Sequence, residues 1–237
     1  LHNMTTTTKL QVLGPEYVEE CARVMAKAFS DAAIYQYIFR GTPESRRSAL
    51  EWLFVRNIRI VLDKCPHSLR GILNENNQVI CCFMWVPHEH QDVSLGEMLW
   101  HGLLQMPIRF GMDAVKRMLQ VMDTLKVPSK EYITSQENDN DSGSQNKMVQ
   151  EGSIQLQRMV VRPDCQGQGL GTKALMAAIA EENAKGKLNL HLETQSPRNV
   201  TFYERLGYKV IWDKNCYEDD DKEYKFHSWY MVRMDVP

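Results

Sequence analysis

Where an apolar run ending at Arg162-Pro163 gives way to the helix-forming stretch Ala174-Leu175-Met176-Ala177-Ala178, the chain reads Gln166-Gly167-Gln168-Gly169-Leu170-Gly171-Thr172. Glycines at a strand-to-helix junction let the main chain turn tightly. They also let several N–H groups converge on one point at the positive end of the helix, an arrangement suited to a pyrophosphate. Two common phosphate loops do not fit the letters. A Walker A loop needs Gly-Lys-Ser/Thr, and the order here is Gly171-Thr172-Lys173. A dinucleotide G-x-G-x-x-G fingerprint needs glycine where Thr172 stands, after a strand that opens a βαβ array. A tight turn with no ligand is the alternative that this segment alone leaves open.

The pattern around this turn alternates. A strand over Ile154 to Val161 precedes it, the helix runs from Gly169 to Lys185, a strand covers Leu188 to Thr194, a short helix covers Arg198 to Leu206, and two strands close the chain. That alternation predicts an α/β core with at least one parallel strand pair. Upstream, Pro15 opens an amphipathic helix carrying Val18, Cys21, Met25 and Phe29. Thr42-Pro43 opens a second one that runs to about Leu62, with the aromatic-rich stretch Ser30 to Gly41 expected as a loop between them. Ser68 to Leu73 and Val79 to Val86 read as a hairpin joined by Asn74-Glu75-Asn76-Asn77. Ser94-Leu95-Gly96-Glu97 has capping-box spacing and begins a helix expected to end at Pro107, and Val115 to Leu125 marks another. From Ser135 to Gln150 there are too few apolar residues to offset ordering, so a mobile loop is expected, as is disorder over residues 1–8.

Composition excludes several classes of function. The 237 residues carry 28 Lys+Arg against 30 Asp+Glu, and no basic run exceeds two residues, so nothing marks a nucleic-acid partner. The longest apolar run, Val79 to Val86, is far short of the roughly 20 residues that a membrane-spanning helix needs. There is no apolar signal core near Met4, and a cytoplasmic or alternatively nuclear location is expected. Cys21, Cys65, Cys81, Cys82, Cys165 and Cys216 include no C-x-x-C pair and have no His at ligand spacing, so no metal site is expected. Cys81 and Cys82 would point to opposite faces of their strand.

Two segments together resemble a known family. Gln166-x-x-Gly169-x-Gly171 after Val160-Val161-Arg162-Pro163-Asp164 resembles the acetyl-CoA signature of the GNAT superfamily of N-acetyltransferases. Further on, Leu192-Glu193-Thr194-x-Ser196-Pro197-Arg198-Asn199-x-x-Phe202-Tyr203-Glu204-Arg205-Leu206-Gly207-Tyr208 resembles the family's N-x-x-F-Y-x-x-x-G-F/Y strand and helix, in wording especially similar to the puromycin N-acetyltransferase branch. The resemblance implies one GNAT domain over residues 1–237. Its sheet would be mixed, mostly antiparallel and twisted, with six to seven strands and a central splayed parallel pair flanked by helices. A helical insert, Pro87 to Gly152, would precede the signature strand.

The activity implied is transfer of acetyl from acetyl-CoA to the primary amine of a small molecule, by a monomer or homodimer. A protein or peptide acetyltransferase and a non-catalytic acyl-CoA sensor are the alternatives. By the same resemblance, main-chain groups of Met159, Val160 and Val161 would pair with the pantetheine arm as an added strand does. Gln166, Gly167, Gln168, Gly169, Leu170, Gly171 and Thr172 would surround the pyrophosphate, Asn199 would contact the arm through its amide, and Tyr203 would protonate the leaving thiolate. An alkylammonium with pKa about 10.4 must also lose a proton before it attacks. Glu193 is the first candidate for that base, with His191 on the same strand face and a water relay as alternatives. The insert and Tyr35 to Phe39 would either wall the acceptor site or pack as core. The acidic run Tyr217 to Tyr224 would either steer cationic amines or be merely solvated.

Overall fold

A computed structural model describes residues 9–137, 152–186, 189–216 and 226–234. In chain order these form β1 (Gln11–Val12), α1 (Val18–Phe29), α2 (Ala33–Ile38), α3 (Pro43–Lys64), β2 (Leu69–Leu73), β3 (Val79–Pro87), α4 (Leu95–Trp100), α5 (Met106–Phe110) and α6 (Met112–Glu137). There follow β4 (Ser153–Val161), α7 (Leu170–Asn183), β5 (Asn189–Thr194), α8 (Pro197–Glu204), β6 (Lys209–Cys216) and β7 (Phe226–Met234). The seven strands make one sheet in the order β1-β2-β3-β4-β5-β7-β6. Among the described strands only β4 and β5 run parallel. The parallel pair is what the strand–helix alternation predicts, and the mixed, mostly antiparallel sheet is what the family resemblance implies.

The sheet separates two apolar clusters. On one face Val18, Cys21, Met25, Leu50, Phe54 and Ile58 from α1 and α3 meet Cys82, Met84, Val86 and Val160. On the other, Leu170, Ala174, Leu175, Ala178 and Ile179 of α7, with Tyr203 of α8, meet Cys81, Phe83, Ile154, Leu156, Leu190 and Leu192. Cys81 and Cys82 fall in opposite clusters because successive strand side chains alternate in direction.

Several elements differ from the sequence expectation. The stretch Ser30 to Gly41 contains α2, because Ile34, Tyr37 and Ile38 share one helix face and are all buried there. The capping box at Ser94 and Glu97 forms, but α4 ends at Trp100, where Gly102 takes a positive φ of 73°. Pro107 lies instead in the first turn of α5, where its missing N–H costs nothing. The described part of the insert therefore holds three α-helices where the sequence predicts two. Helix α6 continues to Glu137, so Ser135, Gln136 and Glu137 are helical rather than loop. Residues 138–150 and 1–8 lie outside the described residues, and β1 had no sequence signal.

The insert covers the α1/α3 face. Phe110 meets Phe39 and Trp52 edge-on, with ring centroids 5.3 and 5.2 Å away. The Tyr37 hydroxyl donates to Gln120 Oε1 at 2.8 Å, and Arg117 donates twice to the Ile38 carbonyl. Helix α6 also reaches β6. Tyr37, Ile38 and Phe39 are thus buried as core that seats the insert.

Gly71 on β2 lies where the hairpin crosses Leu13. A Cβ there would come within 2.5 Å of the Cys81 carbonyl oxygen and 2.7 Å of Leu13 Cδ1. Backbone cannot give way cheaply, so Gly71→Ala is expected to lower unfolding free energy by about 1–3 kcal/mol in urea titration. An unchanged midpoint would mean that β1 and Leu13 are held loosely.

Candidate active site

Strands β4 and β5 pair only from Ser153↔Asn189 to Leu156↔Leu192. Beyond that rung β5 stays with β7 as far as Thr194↔Trp229, and β4 stays with β3 as far as Val161↔Cys81. The pair therefore separates in the middle of the sheet, leaving residues 157–161 of β4 with an edge that, among the described residues, no strand covers.

A bulge in β4 sets what that edge presents. Cys82 pairs with Val160 and Met84 with Gln157, so Arg158 and Met159 together oppose Phe83. Arg158 takes a φ of 52° to make this possible. The extra residue shifts side-chain parity: Ile154 and Leu156 face the α7/α8 cluster, and after the bulge so do Met159 and Val161, while Val160 faces α1 and α3. Arg162 N–H donates to the Ile80 carbonyl at 2.9 Å. By the alternation of antiparallel ladders, Val160 also directs its main-chain groups to β3, and Val161 directs its own away from β3. Of the three residues expected at the cofactor arm, the open edge thus offers Met159 and Val161, whereas Val160 is committed to its neighbour strand.

The glycine turn stands at the end of this edge. Gly167 and Gly169 have φ of 79° and 72°, Gly169 is the N-cap of α7, and Gln166, Gly167, Gln168 and Gly169 are exposed. The first helical bond is Lys173 N–H to the Gly169 carbonyl, so the N–H groups of Leu170, Gly171 and Thr172 have no intrahelical acceptor. Gln166 Nε2 donates to the Val161 carbonyl at 3.1 Å. A Cβ on Gly171 would stand 3.4 Å from Val161, 3.5 Å from Met159 and 3.6 Å from Phe202. Turn, open strand edge and α8 therefore meet at one place, as a phosphate-and-arm site requires.

Tyr203 is buried on the α7/α8 face, with its ring 5.7 Å from that of Tyr208. Burial and the nearby Cys81 thiol hold its hydroxyl well above the ordinary tyrosine range, so it stays protonated. Burial also pushes Cys81 up to about 12, which keeps it a thiol. Asn199, in the first turn of α8, donates from Nδ2 to Thr194 Oγ1 at 3.2 Å. That bond joins the end of β5 to α8, and it leaves Oδ1 as the amide's other polar atom.

The opposite face carries a polar floor. Glu193 pairs in register with Tyr230, on the side away from Leu190 and Leu192, and burial raises its carboxyl to about 7. His191 is buried between Tyr230, whose hydroxyl lies 2.8 Å from Nδ1, and Gln91, whose Nε2 lies 3.3 Å from Nε2. Burial and His88 lower His191 to about 4. It is neutral at pH 7 with both nitrogens engaged, so it is poorly placed to take a proton. Gln155 stands opposite His191 in register, accepts from Gln157 Nε2, and Gln157 Oε1 accepts from Arg158. Gln91, Gln155, Gln157, Arg158 and Tyr230 escaped the sequence reading. The available signal was Gln155 and Gln157 alternating with Ile154 and Leu156 in a strand whose two faces are both covered. The acidic run Tyr217 to Tyr224 lies outside the described residues, and among those residues no cluster could hold a metal.

A mixed sheet with one parallel pair that separates beside a glycine-turn helix defines the GNAT fold. Residues 132–210 match the family model for the acetyltransferase (GNAT) domain. The fold overlays on a polyamine N-acetyltransferase of Drosophila melanogaster with a TM-score of 0.59 and 12% identity, covering 95% of this chain and 99% of that one. Arylalkylamine N-acetyltransferase 2 of Aedes aegypti gives 0.59 and 11%, over 95% and 98% of the two chains. A histone acetyltransferase and related acetyltransferase of Corynebacterium glutamicum gives 0.57 and 14%, over 97% of each. At these identities the structures establish a shared fold.

The Glu193 pKa has a consequence for stability. Its folded value is raised, so the native state binds more protons than the unfolded state between about pH 4.5 and 7, and stability is lost as pH rises through that window. Glu193→Gln should therefore gain on the wild type by about 3 kcal/mol at pH 8 relative to pH 4.5. Urea midpoints of the two proteins that stay parallel across this range would contradict the raised value.

Proposed function

We propose that this protein is an acetyl-CoA-dependent N-acetyltransferase that moves the acetyl group to a primary amine of a small molecule by direct attack on the thioester. The observation that carries the reading is the separation of β4 from β5 beside the N-terminus of α7. It opens main-chain groups to an extended arm and N–H groups to a pyrophosphate in one continuous track. The residues fit acetyl-CoA as co-substrate: Met159 and Val161 at the arm, Gln166 to Thr172 at the phosphates, and Asn199 nearby. Gln166 must release the Val161 carbonyl as the arm pairs there.

Chemistry falls at the gap between the strands. Glu193 near pKa 7 takes a proton from the alkylammonium, and the freed lone pair attacks the thioester carbonyl. As the C–N bond forms and the C–S bond breaks, the electron pair goes to sulfur and Tyr203 gives the thiolate its proton, while the second proton of the attacking nitrogen leaves to solvent and solvent restores the Tyr203 hydroxyl. Because the Tyr203 hydroxyl holds its proton more tightly than a free phenol, this help is modest. The insert supports a small acceptor, since its described helices pack on α2 and α3 and its Gln91 reaches His191 on the strand face that carries Glu193. The wording shared with puromycin N-acetyltransferases and the amine acceptors named for the two insect relatives agree with this.

The direct test follows coenzyme A thiol release with a panel of amines and peptides, and acetylation of peptides alone would replace the small-molecule reading. Tyr203→Phe should lower kcat by roughly 10²-fold; a variant with full turnover at saturating substrate would remove Tyr203 from the mechanism. Gly169→Asp, which sets negative charge against the phosphates, should abolish coenzyme A binding in calorimetry, and normal affinity would undo the assignment of the turn.

A further inference from the structure

The bulge that opens β4 also turns a cation onto the face where an acceptor would enter. Arg158 stacks its guanidinium 5.4 Å from the centre of the Phe54 ring. Its Nη1 donates to Gln157 Oε1 at 3.0 Å and lies 3.6 Å from Met84 Sδ, and its Nε is buried without a hydrogen-bond partner. The side chain is partly buried, and among the described residues no carboxylate pairs with it. Other sheltered arginines are treated differently: Arg70 forks to Glu181 and Glu182, and Arg46 reaches Asp31 and two carbonyls.

Sheltering a guanidinium with only an amide oxygen, a thioether and a ring for company leaves much of its desolvation cost standing, and the ring offsets part of it. A planar fork of donors in such a place is matched by a carboxylate. Its position suits the purpose. Arg158 lies two residues past the last β4–β5 rung on β4, and Glu193 lies one residue past it on β5, both on the α1/α3 face. Gln157, held by Gln155, orients the fork.

We infer that Arg158 binds a carboxylate carried by the acceptor, so that the amine acetylated is of the amino-acid type rather than a simple alkylamine or polyamine. This rests on the acetyltransferase reading given above. The ammonium end of such an acceptor sits at Glu193 and the carboxylate end at Arg158 across the gap. A second cationic group at the carboxylate position is repelled, which discriminates against polyamines.

The test compares amines that differ only by the carboxylate, phenylalanine against phenethylamine and lysine against cadaverine, by thiol release from acetyl-CoA. A charge-assisted contact predicts that the wild type favours the carboxylate-bearing member in kcat/KM by about tenfold or more. Arg158→Gln should collapse that ratio toward one, and Arg158→Lys should retain part of it. Competitive inhibition of the wild type by 3-phenylpropionate, which has the carboxylate and no amine, should weaken in Arg158→Gln and serves as a readout that needs no turnover of the probe. Equal or reversed preference in the wild type, or a ratio unmoved in Arg158→Gln, overturns the assignment of Arg158 while leaving the acetyltransferase reading intact. No turnover of either member with coenzyme A binding preserved removes both.

Discussion

One rung decides this structure: after Leu156↔Leu192 the two parallel strands lose each other. Strands in the interior of a sheet normally satisfy their main-chain groups on both sides, and those left unpaired away from water are costly. Here the cost is managed by placing an edge in the centre of the sheet rather than at its border. Gln166 covers the Val161 carbonyl in the meantime. The bulge at Arg158 and Met159 accompanies the separation, and by adding one residue it reassigns every side chain that follows on β4.

Burial acts on both candidate catalytic groups, with opposite chemical effect. For Tyr203 it strengthens the hold on a proton, so the hydroxyl stays protonated at neutral pH and is a weaker donor than a free phenol. For Glu193 it brings the carboxyl near neutrality, where it can both accept and release a proton. His191 is pushed the other way, because burial disfavours the charged form of a base as it does that of an acid, and its ring is held between Tyr230 and Gln91. His191 and Glu193 share one face of β5 while Tyr203 lies on α8 at the other face, and the three are sorted by environment rather than by residue type.

The core, the glycine turn and the helix that carries Tyr203 were legible in the sequence, since Gly167 and Gly169 and the spacing around Tyr203 have local causes: a positive φ and a helix period. Element boundaries that depend on tertiary contact were not. Helix α2 forms because Phe54 and the insert offer its apolar face somewhere to go, and α4 ends at a left-handed glycine, not at the next proline. The bulge in β4 has no letter of its own; Arg158 is an ordinary arginine until the pairing of Cys82 and Met84 shows that a residue is left over. For that reason the polar floor stayed invisible too, because the side on which each β4 residue lies depends on where the count slips.

The two clusters divided by the sheet give this arrangement a further property. Among the described residues the sheet opens where β4 leaves β5, and on the proposed reading an acyl group on a thin arm passes there. On the proposed reading, Met159, Val161, Tyr203 and the glycine turn serve the donor on the α7/α8 side, and Glu193 and Arg158 serve the recipient on the α1/α3 side. Mutations can therefore redraw the recipient's room without disturbing the donor's. A protein built this way can change its customers while keeping its supplier.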